Sequence, residues 1–575
     1  TKDYWEFTEF NTPNGNGFIE KSKGNFLYQQ KDAEIPNEGF DVTMTRAYNS
    51  QASSRSVFGM GWSHDYDIEL LNICENNSQE FNHVVLKDGN GTIFHFTRES
   101  GQSKFVSSLG SYVNLICETE EKSKTVHVSG GGENNAVTVK YKFVLTTKDG
   151  LSYLFNSGGQ LVLMEEGNGK FVLFEHDVRK GLLSRMVTNN NLAITFTYND
   201  GSNGSDPLTV KEITMPDGSK VQYEYTKPLL ASDRLLTKVT EVAGDETIEY
   251  EYEYDKPMFS KQPKNLTKIK EAENKNTYTI KYDYDRDQVT EAIYPDGEKF
   301  TFDYAEDNTR TIKKYSGHQA VLGEKDFFDR VSGSCEKSIR GVTDMDKLES
   351  DSEDGLDVTT YEYRNDLMTS SKTTAEYYEI GSDGYITEKK GVKENKINYN
   401  GDNPVSEKED DGTFSEYTYY TEADGEKLED LVKTEKETNA DGKVTTYKKY
   451  SYDSVGNVTE TIDYVAGTKV ENTYYTEGAF QGELKTMKES LLTVIDPDQI
   501  TGESLKSTSV YTYEYLTENG VTTKKEACTQ TIPKPDGGNE VISTDTRYDV
   551  MGREISKTDS RGYKTTSTYD GFGRN

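Results

Sequence analysis

The sequence predicts an all-β protein whose antiparallel hairpins repeat along the chain and wind into a large, curved, hollow shell. Three observations predict it. Aromatic residues are abundant, with 40 tyrosines and 23 phenylalanines in 575 residues, and they alternate with polar residues at strand period. Asp-Gly turns recur with one offset rule. A six-residue unit, Tyr-Asp-x-x-Gly-Arg, recurs at a fixed spacing at the end of the chain, the mark of a repeat architecture.

The turns fix the hairpins. Gly89 is followed five and seven residues on by Phe94 and Phe96, Gly218 by Tyr223 and Tyr225, Gly297 by Phe302 and Tyr304, and Gly412 by Tyr417 and Tyr419. Gly150 and Gly442 keep the first aromatic, Phe155 and Tyr447, whereas Gly562 keeps the second, Tyr569. Asp-Gly predicts a two-residue hairpin turn with positive φ at both central residues. Odd offsets share one face of a strand, so the aromatics form a stripe. The terminal unit is Tyr548-Asp549-x-x-Gly552-Arg553, repeated 21 residues later as Tyr569-Asp570-x-x-Gly573-Arg574. An earlier copy, Tyr452-Asp453-x-x-Gly456-Asn457, carries Asn for Arg.

Composition excludes several functions. The net charge is −34, so the basic footprint of a nucleic-acid binder is missing. No apolar run is long enough to span a bilayer. Hydrophobic content is 33%, which a sheet with wet faces tolerates. No phosphate loop, nucleophile elbow or metal-ligand cluster is present, so the sequence predicts no catalytic residue, cofactor or metal. Gly130-Gly131-Gly132 lacks the following Lys-Ser/Thr and helix. Cys74, Cys117, Cys335 and Cys528 allow three complete pairings and show no Cys-x-x-Cys spacing. Cys74 and Cys117 both end short apolar runs; they either face each other or lie buried as thiols. His64 and Asp65 near Arg46 read as a polar network under a loop. His83 and His95 flank the first turn on neighbouring strands. A two-histidine metal site is conceivable there, but with no third ligand in view they read as cross-strand surface or core residues.

In order, residues 1–24 read as a lead-in, 25–200 as an N-terminal β module and 201–575 as the repeat shell. A break in rhythm marks an insertion or loop around 311–357. Leu484, Met487, Leu491, Leu492 and Ile495 fit a short helix within 482–507. The strict alternation Glu249-Tyr-Glu-Tyr-Glu-Tyr254 predicts a strand with a solvated acidic face. The N-terminal module carries Arg46-x-Tyr48 and Gly59-Met-Gly61-Trp62. Gly59 and Gly61 permit a tight bend beside a large apolar plate. The last hairpin, around Gly562, lacks a following neighbour, which predicts an open face and fraying from about Tyr569 onward.

The Tyr-Asp-x-x-Gly-Arg unit at this spacing resembles the YD repeat of the Rhs family. Arg46, Tyr48, Gly59, Gly61 and Trp62 resemble the leading module found before those repeats. The resemblance implies a β-shell around a C-terminal toxin domain of the same full-length chain, with an immunity or secretion partner, secreted or at the cell surface. The alternative it allows is an adhesion protein that binds cell-surface glycans. The self-cleavage segment of many members has no counterpart here, so cleavage is not carried over.

Overall fold

The computed structural model describes residues 6–570 apart from 36–41, 53–54, 72–82, 90, 100, 108–112, 131–132, 148–149, 203–207, 228–233, 256–264, 272–275, 284, 342–344, 351–352, 354–355, 365–366, 381–384, 426–427, 497–498 and 519–520. Cys74, Gly131, Gly132, Gly573 and Arg574 lie outside the described residues. Strand accounts for 67% of the chain and helix for 2%, so the expected all-β fold is the fold formed.

Two sheets carry the architecture. The small one pairs the strands Phe7–Glu9, Asn16–Glu20, Phe26–Ile35, Val42–Asn49 and Trp62–His64 in that order. The large one runs from Glu69–Leu71 to Lys564–Thr566, each strand antiparallel to the next in sequence, and it closes on itself. At one closure Glu69 bridges Gln160, and the Leu70 N–H donates to the Gly159 carbonyl at 2.9 Å. The main apolar core lies between the small sheet and wall strands of the large one; it joins Phe26, Tyr48 and Trp62 to Phe196, Tyr252 and Ile269.

Elsewhere the wall is thin. Every residue of Val432–Thr438 is half-buried, on both faces alike. The accessible surface is 30179 Å², against about 20,500 Å² for a compact monomer of this mass. The excess is what a wall wet on both sides requires, and it explains how so low an apolar content suffices.

Several details correct the sequence reading. The turns are three-residue loops. In Met215–Ser219 the Gly218 N–H donates to the Met215 carbonyl at 3.0 Å, and the Met215 N–H to the Ser219 carbonyl at 2.9 Å. Only the glycine takes positive φ, +86° at Gly218 and +90° at Gly297. This is a type I turn with a glycine bulge, which leaves the aspartate in an ordinary right-handed conformation. Gly150, Gly412, Gly442, Gly456, Gly552 and Gly562 likewise have positive φ. Gly89 does not; Gly91 is the left-handed residue of that hairpin. Gly89 instead allows close approach, since a Cβ there would lie 2.3 Å from the Asp65 carbonyl oxygen.

The helix expected within 482–507 is strand: Leu484–Asp496 pairs with Gln499–Glu518. Its apolar spacing also satisfies a strand interrupted by register shifts, and the neighbouring ladders decide between the two. Across 311–357 the sheet continues through Gln319–Phe328 and Cys335–Arg340. Beyond Arg340 the helix Met345–Glu349 buries Leu348 against Ile339 and Leu356, where a surface loop was expected. The small sheet takes strands from the expected lead-in, and the large sheet crosses 200/201 without a break, Thr195 pairing with Thr214. At the far end the last strand, Lys564–Thr566, has a ladder on one edge only, to Glu554–Thr558, and its three residues are exposed, in keeping with the open edge expected there.

Candidate functional site: the repeat staple and the docked module

The Tyr-Asp-x-x-Gly-Arg unit is one turn with its own locks. Asp549 Oδ1 accepts from the N–H groups of Met551 at 2.9 Å and Arg553 at 3.0 Å. Its Oδ2 accepts from Arg553 Nε at 2.7 Å. Gly552, at φ +74°, closes the loop. The Arg553 guanidinium then lies 5.0 Å from the ring of Tyr569, the tyrosine of the next unit. The Tyr569 hydroxyl donates to the Glu554 carbonyl at 2.9 Å. In the earlier copy Asn457 serves for Arg: its Nδ2 donates to Asp453 Oδ2 at 2.9 Å. The substitution keeps the lock on the turn and gives up the guanidinium.

The tyrosine contact recurs along the wall. Tyr198, Tyr225, Tyr254 and Tyr282 donate to the carbonyls of Leu183, Val210, Leu236 and Leu266 at 2.7–3.0 Å. Tyr399, Tyr419, Tyr452, Tyr474 and Tyr513 donate in the same way to Met368, Pro404, Val432, Val458 and Leu484. Several acceptors stand two residues after a left-handed residue: Leu183 after Gly181, Val432 after Asp430, Val458 after Gly456, Leu484 after Gly482 and Glu554 after Gly552. In most cases the ladder shifts register just before the tyrosine, as at Glu224/Tyr225, Lys281/Tyr282 and Ser451/Tyr452. A bulge re-aims a side chain, and here it swings the hydroxyl back to the preceding hairpin. Each repeat is thereby stapled to the one behind it. Tyr548 stands at such a shift, beside Arg547.

Removing one staple tests this account. Tyr282 is 5% exposed. The variant Tyr282→Phe keeps the ring but strands the Leu266 carbonyl, which costs about 1–3 kcal/mol. Urea unfolding of parent and variant checks it; a change within about 0.3 kcal/mol would remove the hydroxyl from the account.

The leading-module residues build the second part of the site. Arg46 is fully buried. Its Nε donates to Asp32 Oδ2 at 2.9 Å, and its Nη2 to Gln30 Oε1 and Tyr252 Oη, each at 3.2 Å. The guanidinium lies 4.4 Å from the Trp62 ring. Burial alone would depress its pKa, yet Asp32 and the adjoining Tyr252 hold it well above the ordinary arginine value. From the wall, Tyr223 donates to Asp32 Oδ2 at 2.7 Å and Tyr252 to Gln30 at 2.7 Å. Trp62 Nε1 donates to Tyr254 Oη at 2.7 Å, and the Leu266 N–H to Tyr48 Oη at 2.9 Å. Gly59 (φ +90°) lets the chain run against the wall: a Cβ there would lie 2.6 Å from the Arg234 carbonyl oxygen, whereas at Gly61 it would meet the Tyr48 ring. The motif fastens the small sheet to the large one.

A third contact lies at the other end of the small sheet. Lys21 Nζ meets Glu324 at 2.7 Å, Glu6 at 3.1 Å and Asp326 at 3.7 Å. Arg340 pairs with Glu6 and Glu324, both at 2.9 Å. Glu6, Asp326 and Cys335 converge closely enough to suit a metal, but the Lys21 ammonium already supplies the cation among these carboxylates. Burial and the Glu324 charge push Asp326 up to about 7, and neither of its oxygens accepts a hydrogen bond. A carboxyl raised in the folded state costs nothing below its unfolded value. Its penalty grows as pH rises toward about 7 and is complete above. The variant Asp326→Asn is therefore expected to gain about 2–4 kcal/mol on the parent between pH 4 and pH 8. Melting curves across that range check it; parallel pH profiles would count against it.

The remaining candidates are structural. Burial lowers the His64 pKa, and its Nδ1 accepts from the Tyr66 N–H at 3.3 Å. Asp65 accepts from the Thr45 N–H at 2.9 Å. No nucleophile joins them among the described contacts. The acidic face of Glu249–Tyr254 pairs with Lys238 at 2.7 Å and Lys268 at 2.8 Å rather than converging on a point. Cys335 and Cys528 are free thiols, and burial raises Cys335. Asp32, Gln30 and Lys21 escaped sequence reasoning. Their partners lie some 200–300 residues away, Tyr223 and Tyr252 for the first two and Glu324 for Lys21, and no local pattern marks them.

Comparison with known proteins supplies relatives for the chain. A family model described as a domain of unknown function, DUF6531, matches residues 18–96, the stretch that forms most of the small sheet and the first hairpin of the large one. The tRNA nuclease WapA of Bacillus subtilis (strain 168) is 24% identical over 200 residues, 35% of this chain and 6% of that protein. The tRNA3(Ser)-specific nuclease WapA of Bacillus spizizenii matches equally. The chain thus spans a small part of the length of the curated relatives it matches. Among solved structures, the TcdB2-TccC3-Cdc42 crystal structure is 9% identical, covering 96% of this chain and 35% of that one at a TM-score of 0.22. The Photorhabdus luminescens Tc holotoxin pore gives the same figures. Stapled hairpins with a docked leading module define a repeat-built β-shell protein. In its repeat unit and in these relatives the chain is similar to Rhs/YD-repeat proteins.

Proposed function

We propose that this chain forms wall and docked leading module of a shell in a secreted or cell-surface Rhs-type protein, and that the shell encloses and helps deliver a C-terminal toxin domain of the same full-length polypeptide. The observation that carries the reading is a long antiparallel sheet that returns on itself where Glu69 bridges Gln160 and whose wall has both faces half-open to solvent: such a wall suits a partition between an interior and the outside. The chain itself is non-catalytic in this reading, since the Arg46 network and the repeat tyrosines are engaged in docking contacts and staples. The activity named for the WapA relatives would reside in the enclosed domain. An immunity protein and a secretion partner would act on the complete protein.

The alternative, glycan adhesion, needs tyrosine faces open to solvent. The hydroxyls of the stapling tyrosines are bonded to backbone carbonyls and that of Tyr304 is buried, whereas Tyr385 at 75% and Tyr563 at 70% stand out as exposed. The test uses the natural full-length protein. Proteinase K should cleave its C-terminal domain at least about tenfold more slowly than the same domain made alone, the factor that about 1.4 kcal/mol of protection gives. Equal rates would reject enclosure. Saturable glycan binding lost in Tyr385→Ala or Tyr563→Ala would favour adhesion.

A further inference from the structure

His83 and His95 stand on the strands His83–Lys87 and Ile93–Thr97, and both are exposed. The hairpin pairs His95 with Val85 and Thr97 with His83, so the histidines are diagonal neighbours on one face. His83 Nε2 lies 3.0 Å from His95 Nδ1. The ring planes are 16° apart and the centroids 5.2 Å apart, so the rings meet edge to edge across this contact. The backbone beneath them is held by the Asp88–Thr92 turn, where the Asp88 N–H donates to the Thr92 carbonyl at 2.9 Å.

We propose that this cross-strand pair is a chelating site for a divalent late transition metal, copper(II) or nickel(II) before zinc. With metal–nitrogen bonds of about 2.0–2.1 Å, a nitrogen separation of 3.0 Å corresponds to an angle of about 95° at the metal. That is the cis angle of a square-planar or octahedral ion. A tetrahedral zinc site would need the nitrogens about 3.4 Å apart. Imidazole is a good ligand for copper, and copper heads the affinity order of the divalent series. In the hydrogen-bonded pair the two nitrogens face each other; each ring turns by about 40° to aim its lone pair at one ion held about 2.05 Å from both, and the exposed face leaves the remaining positions to water. Without metal, the pair shares one proton in a hydrogen bond, as the distance shows. Binding needs both of these nitrogens bare, so the bridging proton passes to the other nitrogen of its own ring, and two neutral imidazoles take the ion with no net proton release.

Electron paramagnetic resonance of the chain with one equivalent of copper(II) tests the site. The expected result is one axial species whose hyperfine pattern shows two imidazole nitrogens. It should be lost in His83→Gln and in His95→Gln, and kept in His127→Gln. Melting curves of the variants should match the parent, because both side chains are exposed. A spectrum with one imidazole nitrogen, or a two-nitrogen spectrum that survives both substitutions, would overturn the proposal. With nickel(II), calorimetry should show one site lost in the same two variants; zinc(II) binding tighter than nickel(II) would contradict the geometric argument.

Discussion

Replacing Arg46 with methionine is expected to destabilise the protein by about 3–5 kcal/mol, the cost of leaving one partner of a buried ion pair behind. Asp32 is 7% exposed, and the ion pair it makes with Arg46 is 2.9 Å long with both side chains out of solvent. Methionine fills much of the volume but leaves that carboxylate uncompensated, with only the Tyr223 hydroxyl donating to it from the wall. The loss falls on the interface between the small sheet and the wall, because Gln30, Tyr252 and Trp62 share the same guanidinium. Hydrogen exchange should therefore accelerate in Phe26–Ile35 and Val42–Asn49 before it does in distant strands such as Val458–Asp463. The double variant Asp32→Asn with Arg46→Met removes both charges and should recover about half of the loss or more, since matched removal avoids the stranded charge. A single variant within about 0.5 kcal/mol of the parent would show that the network adds nothing to docking.

How much of this was legible beforehand depended on distance along the chain. The fold class, the left-handed glycines at 218, 297, 412, 442 and 562, and the aromatic offsets were local patterns, and local rules read them. Turn type was not. Asp-Gly serves both a two-residue loop and the last two positions of a three-residue loop, and strand register separates them. The tyrosines were legible as a stripe, but their hydroxyl partners were not, because a bulge breaks the alternation on which facing arguments rest. The strand Leu484–Asp496 was misread for a related reason. Its apolar spacing suits a helix when read alone, and the ladder to Gln499–Glu518 overrides it. Arg46 and Trp62 stood out as a motif, yet their work as a docking device depends on wall residues such as Tyr252 and Tyr254. The lesson for repeat shells is that the unit is written locally, whereas the contacts between one winding and another are not.

Gly167→Ala should expose that second kind of contact. The hairpin turn around Gly167 meets turns nearly three hundred residues further on. A Cβ at Gly167 would lie 1.9 Å from the Val455 carbonyl oxygen and 3.0 Å from its carbon. Lys170 Nζ pairs with Glu483 at 2.8 Å, with both side chains largely buried, and Gly482 sits against Asn168. Backbone cannot yield as a flexible side chain does, so the added methyl must push the two turns apart. Overpacking costs about 1–3 kcal/mol, and parting the Lys170–Glu483 pair in a dry setting adds to it. A comparison with Gly297→Ala isolates the cause. Gly297 has φ +90°, and nothing stands within 4 Å of the point where an added methyl would lie, so that variant carries backbone strain alone, about 1–2 kcal/mol. Gly167 is not among the left-handed glycines and carries the clash alone. Gly167→Ala is expected to be the more damaging of the two, and to raise hydrogen exchange at 453–457 and 478–483 while leaving Thr277–Asp283 protected. Gly297→Ala should loosen its own hairpin and leave those turns unchanged. If both variants altered exchange at the same sites, the seam between windings would not be held by this contact.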